Sequence, residues 1–156
     1  MSRISRGWKW IFKHIDSITN IKRRTTTTFE LALPILFTSG IQHIAEKPEG
    51  MAKMPGYVVE FLKNIPVQWD EVRFLSGFPG KDIALARRHG ETWYVVAING
   101  EPTAKTMQLD LSFLAGKTGV LFSDGEKTAV PIKKKEVRAG KLEIGIAPHG
   151  GVVMKF

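Results

Sequence analysis

Polar and apolar residues alternate along the second half of this chain. Ile83 and Leu85 are interleaved with Ala84 and Ala86, and Arg87 and Arg88 follow. Trp93, Tyr94, Val95, Val96 and Ile98 are strong strand formers. Period two marks a strand, because successive side chains point to opposite faces of a sheet. The pattern predicts strands over residues 72–75, 81–88, 92–99, 105–111, 119–123, 128–133, 141–146 and 151–156. Turn signals separate them: residues 77–80, His89-Gly90, Asn99-Gly100, Asp124-Gly125, Ala139-Gly140 and His149-Gly150. Asn99-Gly100 is of the type that suits hairpins. Short strands at this spacing argue for an antiparallel sandwich or barrel over residues 67–156. Leu109, Leu111, Phe113 and Leu114 look like core, and Lys133-Lys134-Lys135 like a solvated edge, where lysine discourages edge-to-edge pairing.

Residues 25–66 follow a different rhythm. The threonines of 25–28 offer an N-cap, and Glu30 sits in the first turn, where the helix dipole favours an acid. Residues 29–37 are apolar almost all round, so the helix they form must be buried on several sides. Pro34 places either the first turn or a kink there. Residues 41–46 are expected to form a short strand and residues 47–50 a loop. Tyr57, Val58, Phe61, Leu62 and Ile65 recur with helical period, and Pro66 closes that helix. Helix, short strand, loop, helix is the rhythm of a β/α barrel, but one unit cannot close one.

In residues 1–24, Ile4, Trp8, Ile11, Ile15 and Ile18 recur at helical spacing with basic residues mostly off the stripe. Such a basic amphipathic pattern suits a membrane surface or an anionic partner, or a helix packed on the following domain. It is not a signal-peptide pattern, since Lys9, Lys13, His14 and Asp16 interrupt the apolar positions.

Charge sharpens this division. The formal net charge is +8, and residues 1–24 hold seven bases against one acid, so the remainder carries only +2. The basic balance therefore describes one segment, and nucleic acid is not an expected partner. The absence of cysteine excludes a disulfide framework and thiolate metal sites. No uninterrupted apolar run reaches the roughly 18 residues of a membrane-crossing helix.

Candidate chemistry is sparse. Glycoside hydrolysis needs two carboxyl groups about 5–9.5 Å apart around a sugar, and the acids here are scattered. Asp70 and Glu71 are adjacent, so on an extended segment they point apart. His14, His43, His89 and His149 show no metal-ligand spacing, and no helix follows Gly150-Gly151 to make a phosphate loop. Trp69, Phe78, Trp93 and Tyr94 could form a sugar-stacking face, although such aromatics in β domains more often belong to the core.

Several stretches occurring in order resemble glycoside hydrolase family 97: residues 26–49, 61–70 and 78–88, Thr92-Trp-Tyr94, Ile98-Asn-Gly-Glu101, residues 109–114 and Pro148-His-Gly-Gly151. The resemblance covers about residues 23–156 and leaves residues 1–24 unmatched. It implies an α+β chain: a helical remnant of the end of a β/α barrel over residues 25–66, then an antiparallel β-sandwich-like domain over 67–156. Members of that family are α-glucosidases and α-galactosidases with calcium at the active site, and full-length relatives are periplasmic. The catalytic carboxylates and calcium ligands of the family lie upstream of everything matched, so no catalytic or metal-binding residue carries over, and the chain alone is expected to be inactive and without a cofactor. The expected eighth barrel strand would put His43 and Glu46 at the rim of the parent's substrate pocket, because barrel active sites sit at the C-terminal ends of strands. The reading is thus a non-catalytic C-terminal accessory domain, truncated from a parent acting on α-linked oligosaccharides. The alternative is a stand-alone module binding carbohydrate, or a membrane surface through residues 1–24. A detached domain should leave an apolar patch at the helix of residues 29–37.

Overall fold

The computed structural model describes residues 24–44, 46, 48–127 and 130–156. The amphipathic segment expected near the start lies outside them, save Arg24. Among the described residues three helices come first: α1 (Thr27–Leu36), α2 (Pro48–Ala52) and α3 (Gly56–Lys63). Eight strands follow: β1 (Glu71–Phe78), β2 (Asp82–His89), β3 (Thr92–Asn99), β4 (Lys105–Asp110), β5 (Thr118–Lys127), β6 (Val130–Arg138), β7 (Lys141–Ile146) and β8 (Gly151–Lys155). A single 3₁₀ turn, Ser112–Leu114, lies between β4 and β5. Each expected strand has its counterpart, and residues 92–99 and 141–146 keep both expected ends.

The strands form two antiparallel sheets. Six pair in the order β1-β2-β3-β8-β5-β6, and β4 pairs with β7 alone. The β2-β3 hairpin closes at His89↔Thr92, with Gly90 at φ 58° in its turn. Only glycine adopts that conformation without steric cost. β6 is an edge strand and carries the exposed Lys133 to Lys135, as the lysine run suggested.

Two turn expectations are corrected. Asn99-Gly100 does not close a hairpin, because β3 takes β8 as its second neighbour and β4 leaves for the other sheet. Asn99 is instead fully buried. Its side-chain amide donates to Thr103 O at 2.7 Å and Ala147 O at 3.1 Å, and its Oδ1 accepts from Glu101 N at 3.0 Å. Asp124-Gly125 lies inside β5, where the register to β6 shifts. Asp124 accepts from Thr28 N and from Gly151 N, each at 3.3 Å, so its carboxylate ties the start of α1 to β8 instead of making a turn.

Each face of the large sheet covers its own core. Ala84, Ala86, Trp93, Val95, Ala97 and Met154 pack against Met107, Leu109, Ile144 and Ile146 of the small sheet. On the other face Leu85, Tyr94, Val96, Phe122, Ile132 and Val153 meet Leu31, Ala32, Ile35 and Leu36 of α1 and Val58 and Phe61 of α3. The result is three layers: helices, a six-stranded sheet and a two-stranded sheet. The helices are thus part of the fold's second core, since the sheet face beneath them is apolar and would otherwise meet water.

α1 starts as its threonines imply. Thr26 is the N-cap and its hydroxyl accepts from Phe29 N at 3.2 Å. Pro34 lies inside the helix, past the first turn, where it removes the hydrogen bond to Glu30 O. α3 ends at Lys63, before Pro66, with the Asn64 side chain donating to Glu60 O at 2.8 Å. The segment between them departs from expectation. Residues 41–44 and 46 belong to no strand, and Pro48–Ala52 is a short helix where a loop was expected. A barrel strand persists only with a hydrogen-bonded neighbour on each edge, and the described residues supply none here. Pro48 opens α2 because the first helical position has no use for its missing N–H.

Candidate functional site

A groove of about 520 Å³ runs along the outer side of α1, bounded by the segment after it and by α2 and α3. Leu33, Pro34, Phe37, Ile41, Met51 and Met54 contribute its apolar lining. Phe37 is 65% exposed and Ile41 70%, against a helix whose inner face is fully covered. The apolar patch expected of a detached domain is therefore present, but it begins where α1 ends; Leu31, Ala32, Ile35 and Leu36 are buried on the sheet. Periodicity alone could not divide an all-round apolar helix into a covered and an open side.

His43 and Glu46, the two candidate substrate contacts, both line this groove together with Glu30. The structure brings them to one apolar cleft although they occupy no strand. Glu46 also packs over Gly50, the α2 residue at which any side chain would collide with its carboxylate. Glu30 accepts a short hydrogen bond from the Thr25 hydroxyl. No lysine or arginine lines the groove among the described residues. Gln42 reaches back to donate to Pro34 O at 3.3 Å, which holds the returning segment against α1.

The end of α1 is held from the sheet side. Arg87 on β2 donates to Leu36 O at 3.2 Å, a cation at a helix C-terminus where the dipole favours it. Burial pulls its guanidinium below the ordinary arginine value. Among the described residues its Nε finds no partner, and neither does the buried indole N–H of Trp69, over whose ring the Arg87 guanidinium lies at 5.9 Å.

The aromatic residues do not form a sugar platform. Trp93 and Tyr94 are consecutive on β3 and enter different cores. Trp93 meets Phe113 edge-on at 5.0 Å, and Tyr94 meets Trp69 at 5.3 Å and Phe61 at 6.1 Å. Burial raises the Tyr94 phenol above its ordinary value. Phe78 stands apart at the end of β1, 63% exposed, with Phe74 near it.

Several acids among the described residues are taken up in ion pairs. Asp70 and Glu71 are taken up by Arg88, at 3.5 and 3.3 Å, and Arg73 donates to Glu71 at 2.7 Å. Asp82 is buried beside Lys105. Among the described residues no three His, Asp or Glu side chains gather where a metal could bind. No helix among them is long and apolar enough to cross a membrane.

Fold and site together define an antiparallel β module carrying helices on one face, with an apolar groove and, among the described residues, no paired carboxylates. The family profile described as "Glycosyl-hydrolase 97 C-terminal, oligomerisation" matches residues 68–156, and the chain belongs to glycoside hydrolase family 97 as a C-terminal piece. It is 34% identical over 139 residues to a retaining alpha-galactosidase of Bacteroides thetaiotaomicron, covering 81% of this chain and 20% of that protein. Among solved structures, a beta-arabinopyranosidase superposes with a TM-score of 0.79 at 36% identity, over 86% of this chain and 22% of that one. A family 97 enzyme from Pseudoalteromonas sp. strain K8, in complex with acarbose, gives a TM-score of 0.73 at 25% identity, over 86% and 23%. The chain thus spans about a fifth of the length of these relatives. The likeness extends beyond the profile's residues, in keeping with a core that α1 and α3 share with the sheet.

Proposed function

We propose that this chain serves as the non-catalytic C-terminal domain of a family 97 glycosidase that cuts α-linked galactosides or glucosides. In this reading the helices are the last part of the catalytic barrel, and the groove outside α1 is the surface on which the rest of that barrel sits. One observation carries it: α1 is buried on its sheet side, and just past its end Phe37 and Ile41 stand exposed beside the groove. An apolar helix that separates a β domain from a neighbour needs both sides covered. Retaining alpha-galactosidases among the relatives make galactosides the first substrates to test.

The test is complementation. The Bacteroides relative, cut back to lack the part aligned with this chain, is mixed with the purified chain, and hydrolysis of p-nitrophenyl α-galactoside is followed. The expected result is no turnover by the chain alone, with or without calcium, and binding that restores turnover by the shortened enzyme. Hydrolysis by the chain alone would overturn the non-catalytic role. Restoration by the relative's own terminal piece but not by this chain would overturn the docking.

A further inference from the structure

We propose that β1 is the seam of a two-fold dimer, pairing antiparallel with β1 of a second copy so that the two six-stranded sheets continue as one. The inference rests on the edge of the sheet, not on the role in a glycosidase.

The edge is open. β1 ends the large sheet, where its one neighbour in the strand order is β2. The outward N–H and C=O groups of such a strand are a template for another strand. α1 lies over β3, β8, β5 and β6. Val72 and Phe74, on the same face of the sheet as Leu85, stand exposed beyond it. Phe74 and Phe78 also border a hollow of about 590 Å³ lined by Ile83 and Ile98. This apolar surface shares no lining residue with the groove outside α1.

Charge selects both the edge and the occupant. The opposite edge, β6, exposes Lys133, Lys134 and Lys135, so two copies meeting there would repel each other. β1 carries no lysine. On its other face Arg73 donates to Glu71 at 2.7 Å, and Arg88 of β2 joins Glu71 at 3.3 Å. An acid and a base two residues apart are self-complementary across a two-fold axis. In an antiparallel pair centred on Val72, Glu71 of each copy faces Arg73 of the other, and Val72 faces Val72. Opposite charges and apolar side chains at facing positions stabilise such a pair. Phe74 then lies diagonal to Val72 of the second copy, within reach of its ring.

The register follows from the bulge. The ladder to β2 is regular from Glu71 to Phe74 and shifts before Ser76. A bulge bends its strand and interrupts pairing. The stretch left for a new partner is residues 70–74, and Val72 is its middle. The same register brings Val67 of the second copy, also exposed, toward the hollow beside Gly77. The patch on each copy is thereby covered by the same patch on the other, as a closed two-fold contact requires.

Sedimentation velocity of the full chain gives the first reading. Species of 17.4 kDa and of twice that mass are expected, in proportions that change with concentration. Glu71→Arg or Arg73→Glu alone sets like charges face to face and should weaken the dimer at least tenfold, with circular dichroism unchanged. An equimolar mixture of these two variants should restore it, because each supplies the sign the other lacks. The chain has no cysteine. Val72→Cys, oxidised in dilute solution, should therefore link two copies at least tenfold faster than Lys135→Cys on the β6 edge. Facing residues of an antiparallel pair have Cα atoms about 4.5–5.5 Å apart, within disulfide reach. A chain that stays monomeric at all concentrations, or equal linking rates for the two cysteine variants, would overturn the proposal. So would a dimer indifferent to both charge changes, which would assign the contact to the groove outside α1. Should a charge variant fail to fold, the linking rates decide alone.

Discussion

Gly151 is the point at which α1 rests on the large sheet. A Cβ built there would stand 2.8 Å from Phe29 Cα and 3.0 Å from both Phe29 N and Thr28 O. All three contacts are backbone, so no rotamer change relieves them. Carbon atoms prefer about 3.5–4.0 Å, and Gly151→Ala therefore has to lift the first turn of α1 by roughly 1 Å. A gap of that size forfeits a quarter to a half of each dispersion contact it opens. Leu31, Ala32 and Ile35, on the sheet-facing side of the same helix, are fully or almost fully buried, so the loss spreads along it. Overpacking of this kind costs about 1–3 kcal/mol, some 2–12 °C in Tm for a chain of this size. The lift also strains the hydrogen bonds that Asp124 accepts from Thr28 N and Gly151 N. The assay is urea unfolding followed by far-ultraviolet circular dichroism and by tryptophan fluorescence. Gly145→Ala is the control, because a Cβ there meets nothing within 4 Å. Gly151→Ala should lower the midpoint with both probes moving together, while Gly145→Ala stays within about 0.5 kcal/mol of the parent. If the two substitutions behave alike, α1 is not seated on β8 and the shared second core is refuted.

Asn99→Ala should cost about 2–3 kcal/mol, because it strands the buried carbonyls that Asn99 serves; a midpoint shift worth under ~0.5 kcal/mol would refute its role in joining the β3 end to the β7–β8 link. Trp93→Ala should destabilise by about 3–5 kcal/mol through the cavity it opens, so any loss of sugar retention would have to track unfolding; lost retention by a chain of undiminished stability would restore Trp93 as a sugar contact. The hydrogen bond to Asp82 raises the Lys105 ammonium above its ordinary value. That contribution is fully present below the ordinary lysine range and is lost as pH climbs through the raised value, so Lys105→Met should remove an alkaline step from stability measured against pH. Asp110 is held below the usual carboxylate range by hydrogen bonds from Ser112. Its contribution is present above that range and fades as pH falls through the depressed value, and Ser112→Ala should return the Asp110 resonance toward an ordinary carboxylate titration in NMR.

What the chain settles locally could be read without its fold. Residues 92–99 and 141–146 form strands with the expected ends, because alternation and turn glycines act over a few residues. Thr26 caps α1 for the same reason, since a hydroxyl three residues before Phe29 N needs no distant partner. The family resemblance was also visible, as ordered motifs survive in one dimension.

Tertiary structure decided everything that depends on a second segment. Asn99 and Asp124 look like turn residues in sequence, yet each is drawn inward by backbone groups far along the chain, Ala147 O for one and Gly151 N for the other. Residues 41–46 have strand composition, but an edge with no neighbour leaves the described ones outside any sheet. Trp93 and Tyr94 read as one aromatic face until the pleat sends them into separate cores. His43 and Glu46 gain their common groove from α2 and α3, not from the barrel strand expected to carry them. Propensity acts between near neighbours, whereas burial and hydrogen-bond satisfaction are decided only when distant segments meet.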